Sequence, residues 1–76
     1  MAAAPPPLLA EFGAAVRRLR HERGWSQEEL AERVGIHRTY MGGVERGERN
    51  VSLINIGRIA RAFEITLAAL MAEAER

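Results

Sequence analysis

The chain has 76 residues, room for one small domain and no more. Its 11 basic residues are all Arg and its 10 acidic residues are all Glu, a net charge of +1, which excludes any nucleic-acid binder that works by bulk cationic charge. There is no cysteine for a disulfide or thiolate metal site, no apolar run near the roughly 20 residues of a membrane span, and no signal-peptide pattern in the opening MAAAPPP, so a cytoplasmic protein is expected.

Residues 1–7 read as an Ala/Pro tail, because successive prolines do not suit a helix interior, and residues 8–76 as a single domain. Leu9, Phe12, Val16 and Leu19 recur at three- and four-residue spacing and predict a first helix ending near Gly24. Ser26 and Glu29 form an S-x-x-E capping box for a second helix, with Trp25 and Leu30 placed as a hydrophobic staple. Leu30, Ala31 and Val34 face inward there, and Gly35 stops it. A third helix is expected from about residue 38 to 46, with Met41 and Val44 on its apolar side and Gly47 as its stop. Ser52 caps a fourth helix carrying Leu53, Ile56, Ile59, Ala60 and Phe63, and Thr66 caps a fifth carrying Leu67, Leu70 and Met71. The expected fold is all-α, five short helices with brief connections. Gly35, Ile36 and His37 make too short a link for a relaxed antiparallel hairpin, but they suit a helix-turn-helix.

The motif spans about residues 27–46. Counted from Gln27, the positions that two closely crossing helices need apolar are Leu30, Val34, Ile36, Met41 and Val44. The fifth position, where the helices touch, is the small Ala31, and the ninth, which must turn with positive φ, is Gly35. A generic helical bundle explains the apolar spacing but not that small residue and that glycine together.

Residues 12–71 resemble the Cro/C1-type helix-turn-helix domain, a lambda-repressor-like fold of five helices around one core. Within them, HRTYMGGVERGERNVSLINI at 37–56 is most similar to the controller proteins of restriction–modification systems. The resemblance implies a small homodimeric transcription regulator that binds a two-fold symmetric operator in double-stranded DNA. A helix fits the major groove with its N-terminal residues at the base edges, which nominates His37, Arg38, Thr39, Gly42 and Gly43 on the third helix as base-reading positions. Tyr40 is either a base or phosphate contact or a half-buried core residue. The resemblance carries base and backbone contacts onto Arg38, Thr39, Tyr40, Arg49 and Asn50. Gly42 departs from the controller pattern, which usually has Ser there and so offers a hydroxyl. The adjacent Gly42 and Gly43 either let backbone approach DNA or are surface drift.

Gln27, Arg46, Arg49, Asn50 and Ser52 are the expected phosphate contacts. The resemblance also implies a structural ion pair between Arg20 and Glu45. Ile54, Ile65, Leu67, Leu70 and Met71 are candidates for a dimer surface, with ordinary core as the alternative. Glu28, Glu29 and Glu32 either face RNA polymerase as a further partner or form a solvated acidic face. Two isolated His make no metal site, and the lack of a nucleophile–base pairing or paired carboxylates points away from an enzyme or a cofactor. An antitoxin, a phage-type repressor and a protein–protein interaction module on the same fold are the competing functions. Loss of Arg38, Arg49 and Asn50 would mark the last, and all three are present.

Overall fold

Pro7 opens α1, which runs Pro7–Glu22 in a computed structural model that describes residues 6–76. The helix takes in the last residue of the expected tail, and residues 1–5 lie outside the described residues. Pro6 is the N-cap and Pro7 the first helical residue, positions where no intrahelical N–H bond is lost. Then follow α2 (Gln27–Val34), α3 (Arg38–Glu45), α4 (Leu53–Ala62) and α5 (Leu67–Ala74). Among the described residues there is no strand, and no helix is long and apolar enough to cross a membrane.

The start signals operate as the sequence predicts. Ser26 Oγ accepts from the Glu29 N–H at 3.0 Å, and the Glu29 carboxylate accepts from the Ser26 N–H at 2.9 Å. Those Ser26 bonds hold the Glu29 carboxyl below its usual range. Ser52 and Thr66 cap α4 and α5 through the hydroxyl oxygen alone, accepting from the Asn55 and Ala69 N–H groups at 3.1 and 3.0 Å. Gly35 ends α2 at φ 84°, the left-handed turn that passes the chain into α3.

Fourteen apolar residues form the core, led by the fully buried Leu30, Met41, Val44, Ile59, Phe63 and Leu70. The Trp25 ring stacks on Phe63 with centroids 5.7 Å apart, and the Arg33 guanidinium lies over its face at 4.2 Å. Helix α1 packs on α3 and α5, and α2 packs on α3 and α4. Arg18 ties α1 to α5 by bonding both the Glu73 carbonyl, at 2.9 Å, and its carboxylate, at 3.1 Å.

The structure divides the apolar residues of the last two helices between surface and core. Leu53, one of those that mark α4 in the sequence, is 71% exposed. Leu70, a dimer-surface candidate, is fully buried and belongs to the core. Helices α4 and α5 carry apolar residues on more than one face, so spacing alone does not say which face turns inward.

Gly13 brings α1 against the backbone of α3. A Cβ built on Gly13 would stand 2.7 Å from the Glu45 carbonyl oxygen, and closer still to that of Val44. Glycine therefore lets α1 touch the backbone at the end of α3, and this contact sets how far α3 projects from the core.

Candidate nucleic-acid interface

Helix α3 is pinned from behind by a buried ion pair. Arg20 Nε donates to Glu45 Oε2 at 2.7 Å, and Nη2 donates to Oε1 at 3.0 Å. Arg20 also donates through Nη1 to the Trp25 carbonyl at 2.8 Å. The expected pair thus joins α1, the connection before α2, and the last turn of α3. Its two-bond fork satisfies both charges where little water reaches them.

Gln27 is bound into the same network. Its Nε2 donates to Glu45 Oε1 at 3.0 Å. This revises its expected role, because one amide hydrogen intended for a phosphate is already used inside the protein. The capping box satisfies the N–H groups of Ser26 and Glu29, leaving those of Gln27 and Glu28 at the first two helical positions to face an anion.

The outer surface joins the start of α2 to α3. Ser26, Gln27, Glu28, Arg38, Thr39, Gly42 and Arg46 line one open groove of about 410 Å³. Three expected base-reading positions (Arg38, Thr39 and Gly42) and two expected phosphate contacts therefore share a surface. Arg38 and Thr39 are exposed. His37 is also exposed, but it serves as the N-cap of α3, with Nδ1 accepting from the Thr39 N–H at 3.1 Å. Only its other ring nitrogen remains for a ligand.

The glycine pair is not outward, as the sequence reading had it. Gly42 and Gly43 are buried under side chains. A Cβ at Gly42 would meet Arg46 Nη1 and Gln27 Oε1, each at 3.0 Å, and one at Gly43 would meet Arg49 Cγ and Nε at 3.0 Å. Their missing side chains make room for the long polar arms of Gln27, Arg46 and Arg49 to lie along the helix.

Those arms carry the charge of the surface. Arg49 reaches across Tyr40, its guanidinium 5.4 Å from the ring centre. Tyr40 is half-buried and packs on the core, so its ring is a shelf for Arg49. Arg46 is held by Glu48, with Nε to Oε2 at 2.9 Å and Nη2 to Oε1 at 3.2 Å. The bond from Arg46 holds the Glu48 carboxyl below its usual range, and Glu48 in turn raises Arg46. Arg38 Nη1 makes a looser contact with Glu28 Oε2 at 3.4 Å. Sequence reasoning missed Glu28 and Glu48 as partners of these arginines. The i, i+2 spacing of Arg46 and Glu48 was the available signal for one pair, but the other joins two helices. Asn50 and Ser52 are exposed after α3, and the Ser52 hydroxyl oxygen caps α4.

Residues 16–70 match the profile of the helix-turn-helix family. The chain belongs to that family. Its membership in the Cro/C1-type, DNA-binding branch agrees with the turn at Gly35 and with the small Ala31, 2% exposed, between α2 and α3. Its relatives include control protein C.MunI of a Mycoplasma species, 39% identical over 66 residues that cover 86% of this chain and 89% of that one. Control protein C.BamHI of Bacillus amyloliquefaciens is 47% identical over 55 residues, covering 71% of this chain and 68% of its own. Among solved structures, the restriction–modification controller protein C.AhdI from Aeromonas hydrophila aligns with a TM-score of 0.79 and 52% identity, over 82% of this chain and 94% of that one.

Of the other dimer-surface candidates, Ile54 is 69% exposed and Leu67 is 41% exposed. Ile65 and Met71 are half-buried against the core. The exposed Leu53 joins Ile54 at the start of α4, where Ile54, Gly57, Arg58 and Arg61 line a shallow groove.

Proposed function

We propose that this helix-turn-helix regulator binds double-stranded DNA as a homodimer on a two-fold symmetric operator, as a controller of a restriction–modification system. The observation that carries this reading is the single groove uniting the free N–H groups of α2 with exposed Arg38 and Thr39 on α3. In the major groove, Arg38 donates a two-bond fork to a guanine, and Thr39 bonds a base or sets its methyl against that of thymine. The α2 N–H groups and Arg49, with Asn50 and Ser52 beyond, hold the flanking phosphates. The exposed Leu53, Ile54 and Leu67 supply apolar area for a second copy, and half-sites one turn of DNA apart require the two α3 helices of that dimer to stand about 34 Å apart. The name of the solved relative and those of the two control proteins favour the controller subtype over a phage-type repressor.

Two substitutions separate the assigned roles. Arg38→Ala is expected to lower specific affinity by about 1–3 kcal/mol and to relax base preference at one step of each half-site. Arg49→Ala is expected to weaken binding to every duplex alike and to reduce the slope of log K against log salt by about 0.9. Titrations of labelled duplexes at several salt concentrations measure both. Unchanged base preference in Arg38→Ala contradicts α3 as the reading helix.

A further inference from the structure

The two groove arginines are held by carboxylates in different ways. Arg46 offers its Nε/Nη2 edge to Glu48, and both oxygens of that carboxylate are engaged, at 2.9 and 3.2 Å. This is the side-on edge with which an arginine grips a phosphate in two-bond fashion, so that fork is closed and only the end-on Nη1/Nη2 edge remains. Arg38 touches Glu28 through Nη1 alone, at 3.4 Å. Its Nε/Nη2 edge stays open, and that edge matches the O6 and N7 acceptors of guanine. One acidic side chain thus takes up the side-on fork of its arginine, while the other steadies an arginine and leaves that fork free.

We propose that Glu28 and Glu48 are specificity-determining residues: Glu48 keeps Arg46 from gripping phosphates indiscriminately, and Glu28 positions Arg38 for guanine. The proposal rests on the DNA-binding reading above and deepens it. The charge balance supports it. With a net charge of +1 and arginine as the only basic residue type, each arginine freed on this surface adds an appreciable share of the sequence-independent attraction to DNA. A carboxylate beside each groove arginine lowers that attraction on all sequences. Where the correct base is present, Arg38 gains contacts that no phosphate supplies. Both pairs are exposed, so each shifts binding by a modest factor and neither holds the fold together.

The test compares Glu28→Gln, Glu48→Gln and, as a control for charge alone, Glu32→Gln. Glu32 is exposed one turn further along α2 and makes no ion pair among the described residues. Affinities are measured against a duplex selected from a random pool and against scrambled duplex, across a salt series. Glu48→Gln is expected to bind scrambled DNA about two- to fivefold tighter than Glu32→Gln does. Its salt slope should steepen by about 0.9, the mark of one more phosphate contact. Glu28→Gln is expected to lower the preference for guanine at the Arg38 step about two- to fivefold, and to lose that effect in an Arg38→Ala background. Matching thermal melts show that each variant is folded. If Glu28→Gln and Glu48→Gln change both duplexes only as Glu32→Gln does, the carboxylates act as bulk charge and the proposal is overturned. If wild-type protein binds no duplex even at low salt, the DNA reading itself fails and takes this proposal with it, an outcome distinct from the first.

Discussion

Glu45→Ala is expected to destabilise the domain by about 3–5 kcal/mol, because it strands the Arg20 guanidinium in a site that is mostly closed to water. It also removes the acceptor of Gln27. A chain of 76 residues has about 4–11 kcal/mol of total stability, so between about a quarter and all of the margin is lost. At about 4 °C or more per kcal/mol, the melting midpoint falls by at least about 12 °C. Thermal unfolding followed by circular dichroism measures this. Replacing both partners, as Arg20→Met with Glu45→Leu, is expected to cost much less, since no charge is left alone. The ion pair therefore specifies position as much as it stabilises: it fixes the end of α3 and aims the amide of Gln27. A loss below about 1 kcal/mol in Glu45→Ala would show that water already reaches the pair.

Gly13→Ala is the second large effect, and it shows why the role of a glycine depends on its neighbours. Alanine is the better helix former by about 1 kcal/mol. At Gly13, however, the added carbon would lie within 3 Å of backbone atoms of Val44 and Glu45, which cannot swing aside as a side chain can. Overpacking of this kind costs about 1–3 kcal/mol, and relief comes only by moving α3 away from α1. DNA affinity is expected to fall with stability, since α3 carries the proposed reading surface. Gly57→Ala is expected to do the opposite. Nothing lies within 4 Å of a Cβ there, so the substitution stabilises α4 by about 0.5–1 kcal/mol. Denaturant titration of the two variants checks the pair of signs. A neutral Gly13→Ala would show that the α1–α3 contact can slide without cost.

Local chemistry made the framework readable in the sequence. Ser26, Ser52 and Thr66 cap the helices they were expected to cap, because a hydroxyl bonding an N–H three residues on is a local event. The inward positions of the motif are buried or half-buried, because the spacing of a single amphipathic face identifies them. What the sequence hid depends on tertiary approach. Gly42 and Gly43 look like outward gaps along α3, yet arms from Gln27, Arg46 and Arg49 lie over them. Gln27 looks like a free amide until Glu45 is brought beside it from 18 positions away. Leu53 stays on the surface and Leu70 goes to the core, a division the sequence leaves open because α4 and α5 are apolar on several sides. His37 is expected as a base contact, and its ring nitrogen is found capping α3, a role that nothing in the residue type announces.

The near-neutral charge follows the same logic. Arg20 is committed to Glu45, Arg18 to Glu73 and Arg46 to Glu48, so not all of the 11 arginines contribute to bulk attraction for an anion. In the proposed reading, recognition on such a surface rests on placed groups: the open edge of Arg38, the Thr39 side chain, the N–H groups that start α2, and Arg49 on its Tyr40 shelf.

Selection of bound sequences from a pool of random duplex DNA tests the central claim most directly. The account predicts enrichment of a two-fold symmetric consensus, its half-sites about 10 base pairs apart centre to centre and each containing a guanine whose enrichment disappears in Arg38→Ala. A pool that emerges as random as it entered, or a consensus with no symmetry and no dependence on Arg38, would contradict it.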